Sequence, residues 1–312
     1  MRKSILGIPS TILCLHDGLF HADDVLCYVL VKYFIDKNVI LKRISRDKVE
    51  EEKRTCDLML DVGNEDKVSD TQVFFDHHSS PTTYPNGIKL AACGKFLRYI
   101  YQRANQDDDF VYNYLLEQLM YGVEAEDNGQ RASDFGYTNI LSFIRPLNLS
   151  YSETVDYDKE QYQAFLQAAR ITEQIFQRIL DKARRAKNDD IALSRILAAA
   201  IQSQQQFVTL PSFYETAIPK IVTANTKLDK PMLYLVYNDL LNDQWVIRCV
   251  PVAVNSFDLL KPLPSSWAGL RNDALAKESG VSDAVFCHLN RFMAVTKTYE
   301  GIMKMLEIAI NS

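Results

Sequence analysis

The chain has 312 residues, 47% of them apolar, and its 35 basic against 40 acidic residues give a net charge of −5 and a pI near 5.6. That balance excludes a constitutive, non-specific coat on nucleic acid, though it leaves room for a local basic patch. The length predicts two domains, each able to bury a core. No run approaches the roughly 18 apolar residues of a membrane span, and the start MRKSILGIPSTILCL, broken by Gly7 and Pro9, is a poor signal peptide. Cysteines 14, 27, 56, 93, 249 and 287 form no C-x-x-C pair and read as buried reduced thiols. A cytoplasmic protein without membrane contact is expected.

In chain order, TILCL (11–15), VILKRI (39–44), DLMLDV (57–62) and VFF (73–75) are short, branched and aromatic runs that predict buried strands. Between the first two, Leu26, Val29, Leu30 and Tyr33 follow helical spacing behind an acidic first turn. Strand, helix, strand predicts a parallel α/β sheet. YLLEQLMYGVEAEDNGQ reads as an amphipathic helix ending at Asn128-Gly129, and 158–187 as a long helix with one buried face. The charged stretch RRAKNDD marks the expected boundary between an N-terminal domain, 1–187, and a smaller α/β domain, 188–312. The latter is expected to hold strands near 219–223, 231–237, 245–252 and 284–288 and a helix over 298–310.

Two of the five histidines, His16 and His21, stand with Asp23 where the first strand passes into the first helix. Asp61 ends the third predicted strand, Asp76-His77-His78 follow the fourth, and Asp127 ends a helix. In an open α/β sheet the carboxyl ends of parallel strands share one rim, so these groups can converge. Imidazoles and carboxylates without thiolates suit Mn²⁺, Mg²⁺, Fe²⁺ or Co²⁺ and also accept Zn²⁺. The set exceeds one tetrahedral zinc, whereas two ions about 3.5–4 Å apart would use all of it and favour phosphoryl displacement. Asp24, next in line, reads as a helix-start acid.

The motifs HDGLFHADD, DVGN, FFDHH and AEDNG resemble those of the melanocyte-proliferating-gene family, a branch of the DHH phosphoesterases that includes RecJ-like exonucleases and family II pyrophosphatases. VIRCVPV, SFDLLKPLPSSWAGLRNDAL, VFCH and TYEGIMKMLEIA extend the resemblance through the tail. It implies one ion on His16, His21 and Asp61 and another on Asp23, Asp61, His77 and Asp127, with a hydroxide between them as nucleophile. Asp76 and His78 would orient His77 or meet the substrate as catalytic groups. His288 stands where relatives carry a substrate-binding histidine, and Arg271 and Arg145 are candidates to clamp a phosphate. Asp24, Asn64 and the segment AACGK depart from the family pattern without removing a ligand.

The resemblance implies a two-metal phosphoesterase with Mn²⁺ as the expected ion, acting on RNA or short oligonucleotides from the 3′ end. KARRAK (182–187) is either part of a basic lining or a solvated helix face. Two other readings remain: the same chemistry on small nucleotides or pyrophosphate, and a non-catalytic metal-stabilised binding protein. A homodimer is left open.

Overall fold

The computed structural model describes residues 11–103, 109–138, 140–150, 152 and 156–312. The chain forms two compact units, Met1–Arg184 and Arg185–Ser312. In the first, strands β1 (Ile12–His16), β2 (Ile40–Ile44), β3 (Leu58–Leu60), β4 (Lys67–Val68) and β5 (Val73–Phe75) make one sheet in the order β2-β1-β3-β5-β4. Its pairs are parallel except β4–β5, an antiparallel edge. Helices α1 (Ala22–Phe34), α2 (Val49–Glu52), α3 (Ala92–Arg103), α4 (Asp109–Leu115), α5 (Tyr121–Asp127) and α6 (Leu141–Ile144) complete this unit with the first part of α7 (Tyr157–Gln202).

Burial explains the short strands: Leu13, Cys14, Leu15 and Leu58 through Leu60 are almost inaccessible, as expected of parallel strands covered on both faces. Leu26, Val29 and Leu30 of α1 join Phe96 and Leu97 of α3 and Phe165 and Phe176 of α7 in the main core. The helix predicted over 114–130 is interrupted by a π-helical stretch, Leu116–Met120, directly before α5. Such insertions are frequent at functional sites because they rotate the downstream turns of the helix.

From β1 the chain passes to β2 on one side, whereas from β3 it passes to the edge strand β4 and back to β5 on the other. The junction of β1 and β3 is therefore a topological switch point, where a crevice opens at the carboxyl ends of the strands. His16 is the last residue of β1 and Asp61 directly follows β3.

The second unit has α8 (Ala217–Asn225), α9 (Asn272–Ser279), α10 (Tyr299–Asn311) and a five-stranded sheet. Strands β6 (Phe207–Leu210), β7 (Tyr234–Asp239), β8 (Gln244–Cys249), β9 (Ala284–Cys287) and β10 (Met293–Thr296) run in the order β6-β7-β8-β10-β9, with only β6–β7 parallel. The expected strand at 219–223 is instead α8. Burial of Ala217 and Ile221 on one face overrides the β preference of its branched residues, and Pro219 sits in the first turn, where its missing N–H costs nothing. The charged stretch after 183 does not break the chain, because α7 runs through it to Gln202. Phe165, Phe176 and Leu180 of α7 join the first core; Leu193, Leu197 and Ala200 join a core of the second unit. All six cysteines are buried and unbonded.

Candidate metal centre

A cavity of about 610 Å³ opens at the switch point, lined by His16, His21, Asp61, His77, His78 and Asp127 among others. His16, Asp61, His77 and His78 come together because parallel strands end along one rim, and the start of α1 and the end of α5 bring His21 and Asp127 to it. Asp61 holds a left-handed backbone with φ of 55°, sparsely populated outside glycine, which turns the chain sharply as it leaves β3. Gly63, at φ of 105°, continues this turn where an added Cβ would lie 2.9 Å from Met59 Sδ.

Asp61 presents its two oxygens in different directions. Oδ1 lies 3.2 Å from His77 Nδ1, and Oδ2 lies 3.4 Å from His16 Nε2. His77 Nε2 stands 3.5 Å from Asp127 Oδ2, and its Nδ1 3.8 Å from Asp23 Oδ2. One donor atom each from Asp23, Asp61, His77 and Asp127 therefore falls within 4.8 Å of the others, and Asp61, Asp76, His77 and His78 form a second such group. Buried His77 Nδ1 and Asp127 Oδ2 have no hydrogen-bond partner among the described residues. Buried polar atoms normally find one, and an oxygen and nitrogen set around a gap fits a divalent cation. His16 Nδ1 donates to the Asp17 carbonyl at 2.8 Å, which leaves Nε2 facing the carboxylates.

Electrostatics points the same way. Burial and the charges of Asp61 and Asp127 push Asp23 well above the usual carboxylate range. Burial and Asp61 raise Asp127 to about 7. Burial would also raise Asp61, but the imidazoles of His16 and His77 outweigh it and hold it below the ordinary value. Burial works against charge on His16, yet Asp24 and Asp61 raise it to about 9. The carboxylates crowd one another, and a cation would relieve that repulsion.

Three buried charged residues, Asp24, Glu124 and Lys95, support the cavity in ways their sequence context does not announce. Asp24 is fully buried; its Oδ1 accepts from the His21 amide at 2.8 Å, and its Oδ2 faces His16 Nε2 at 3.4 Å and Arg43 at 3.5 Å. It does cap the helix start, as expected, but it also stands behind His16, which lines the cavity. Glu124, fully buried on α5, accepts from Ala91 N and from the Tyr84 hydroxyl. Asp23 accepts from Ala92 N and Cys93 N at 3.1 and 2.7 Å, so the positive start of α3 steadies two carboxylates. Lys95, from the same AACGK segment, donates to the Asp76 and Ser80 carbonyls and to Asp66 Oδ2. Asp66 Oδ1 in turn accepts from Asp76 N.

The other expected residues take more varied places. Asp76 is buried and accepts from His78 N and from Asn64 N, and its Oδ1 pairs with His78 Nδ1 at 2.8 Å, so it orients His78 rather than His77. The His78 side chain is 58% exposed at the cavity. His21 is exposed on the wall, its ring centroid 5.8 Å from that of His16, outside both close donor groups. Arg145 is exposed in a short 3-10 turn; its carbonyl accepts from Asn148, which also exchanges hydrogen bonds with the backbone of Phe20. Arg271 and His288 belong to the second unit. The Arg271 guanidinium lies 4.4 Å from the Phe286 ring centre, His288 packs against Phe286 and Phe292, and His288 Nδ1 accepts from Asn290 N.

Residues 12–310 match the family model MYG1_exonuc, described as an uncharacterised protein family (UPF0160). A MYG1 protein of Dictyostelium discoideum is 28% identical, with 96% of each chain covered. The MYG1 protein of Chlamydia muridarum is 26% identical over 95% of each chain. The human MYG1 exonuclease is also 26% identical, over 93% of this chain and 83% of the relative. Among solved structures, RecJ from Thermus thermophilus in complex with Mn²⁺ aligns with a TM-score of 0.30 and 13% identity. That alignment covers 96% of this chain and 52% of RecJ, so the chain spans about half its length.

Proposed function

The chain belongs to the MYG1 exonuclease family, and on that premise we propose that it is a two-metal phosphodiesterase that removes nucleotides from the 3′ end of RNA or short oligonucleotides. The observation that carries this is Asp61, which offers one oxygen toward His77 and the other toward His16. A carboxylate so placed can bridge two cations. His16, His21 and Asp61 would hold one; Asp23, Asp61, His77 and Asp127 would hold the other. The nitrogen and oxygen donor set favours Mn²⁺, with Mg²⁺, Co²⁺ or Zn²⁺ as alternatives. Two such ions, when bound, supply activation of water and stabilisation of the attacking and leaving oxygens.

The chain's own residues then have separate tasks. Asp23, held by the amides of α3, and Asp61, fixed in its left-handed turn, set donor positions before substrate arrives. Asp76 accepts from one side of His78, which leaves the exposed Nε2 edge to meet the phosphate or the departing oxygen. Arg145, Arg271 and His288 are the proposed phosphate contacts. The buried, unbonded thiols suit a reducing compartment such as the cytoplasm. Among the described residues no helix is long and apolar enough to cross a membrane.

The test is incubation of the purified protein and Mn²⁺ with a 3′-labelled RNA oligomer, a 5′-labelled one, bis-p-nitrophenyl phosphate and pyrophosphate. Early release of the 3′ label as mononucleotide, with gradual shortening of the 5′-labelled strand, supports the reading. Hydrolysis of pyrophosphate alone would replace it with the small-phosphate alternative, and hydrolysis of none would favour a binding protein.

A further inference from the structure

Beside the metal cavity the first unit has a second cleft, of about 410 Å³, that no ligand motif accounts for. The two share Asp17, the residue after β1. Between them stands the 3-10 turn Arg46–Lys48, which follows β2: Arg46 faces the metal cavity, whereas Ser45 and Lys48 face the cleft. Since β2 pairs with β1 in parallel, the two hollows follow one another along the carboxyl rim, about 5 Å apart per strand. Of the candidate metal ligands, His77, Asp61 and His16 lie at the ends of β5, β3 and β1, and the cleft lies at the ends of β1 and β2.

Its chemistry differs from that of its neighbour. Lys42, Arg43 and Lys48 are matched by Asp17, Glu52 and Asp158 around the wall. Lys42 is paired with Glu52 at 2.7 Å, and Arg43 is committed to the carbonyls of His16 and Gly18 and to Asp24. Little positive charge is left for a phosphate. Tyr157 and Tyr162 instead add aromatic surface, and Ser45 and Lys48 add polar groups at the rim. Gln161, 2% exposed, ties the start of α7 to Gly18 and Asn148, so this wall is braced. A neutral cleft with aromatic and hydrogen-bonding surface fits a base and its ribose, because every base offers a π-face.

We propose, resting on the phosphodiesterase reading above, that this cleft seats the nucleoside adjoining the phosphodiester held at the metal centre. The smallest full substrate is then a dinucleotide, and the cleft separates nucleic acid from pyrophosphate, which has nothing to place there.

The test compares KM and kcat, with Mn²⁺, for a dinucleoside monophosphate and for methyl p-nitrophenyl phosphate, in the wild type and in Lys48→Glu and Tyr162→Ala. Lys48 is exposed on a turn, so Lys48→Glu keeps the test alive if Tyr162→Ala folds poorly. The expected result is a KM for the dinucleotide raised about tenfold more than that for the methyl ester, the loss of one stacked or polar contact. Equal changes for both substrates, or none for either, would overturn the cleft while leaving the phosphodiesterase intact. Failure of the wild type on both substrates would overturn the phosphodiesterase reading and this inference with it.

Discussion

Lys95 Nζ lies 2.9 Å from the carbonyl oxygen of Asp76, so an ammonium from α3 holds the first residue of the Asp-His-His run. Two more acceptors, the Ser80 carbonyl and Asp66 Oδ2, each at 2.8 Å, complete its three bonds. Lys95→Met keeps the stem and leaves these acceptors without their donor. It should lower stability by about 1–3 kcal/mol in urea titration and weaken Mn²⁺ binding by about tenfold as the loop carrying His77 loosens. Unaltered Mn²⁺ affinity alongside the stability loss would limit Lys95 to a role in folding.

Glu124 gives a pH-dependent prediction away from the donor groups. Burial raises its carboxyl well above the ordinary value of 4.5, against the hydrogen bonds from Ala91 N and Tyr84. The folded state therefore keeps a proton that the unfolded chain releases. This contribution to stability is fully present below the unfolded value and is lost as the pH climbs from there toward the raised folded value. Glu124→Gln carries no such charge, so its Tm relative to wild type should rise between about pH 5 and pH 8. A constant difference across that range would show that Glu124 folds with an ordinary pKa. Gly94 belongs to the same contact: a Cβ there would overlap the Glu124 carboxylate, and Gly94→Ala should lower Tm at every pH.

His21 and Asp24 compete for a place beside His16. If His21 holds an ion, as proposed, His21→Ala, an exposed change, should leave Tm within a degree or two and weaken Mn²⁺ binding about tenfold. Asp24→Asn should instead lower Tm, because the Arg43 side chain, 5% exposed, would lose its buried counter-charge. Native Mn²⁺ affinity in His21→Ala with loss in Asp24→Asn would transfer the ligand role to Asp24.

The strand ends are readable from the sequence because β1, β3 and β5 are short apolar runs, and each is bounded by a polar residue that the apolar pattern cannot absorb. His16, Asp61 and the run that Asp76 opens with His77 stand out for that reason. Asp24, Glu124 and Lys95 do not, because charged residues are ordinarily exposed and their partners lie 19, 40 and 29 residues away, at Arg43, Tyr84 and Asp66. In the second unit, α8 reads locally as a strand through Ile221, Val222 and Thr223, and its helical state depends on packing against Leu193, Leu197 and their neighbours. The two-residue β4 and the four-residue β6 and β10 are too short for alternation to declare itself.

The central claim is that Asp61 bridges two cations, and Mn²⁺ titration calorimetry on Asp61→Asn and Asp127→Asn tests it most directly. The amide keeps the volume but is a poor bridge, so Asp61→Asn should weaken both binding events by at least about tenfold, as expected for a shared ligand. Asp127, whose Oδ2 approaches His77 and not His16 in the structure, should affect one ion only, and Asp127→Asn should retain the other at native affinity. Two ions bound with native affinity by Asp61→Asn, or none bound by Asp127→Asn, would contradict the bridge.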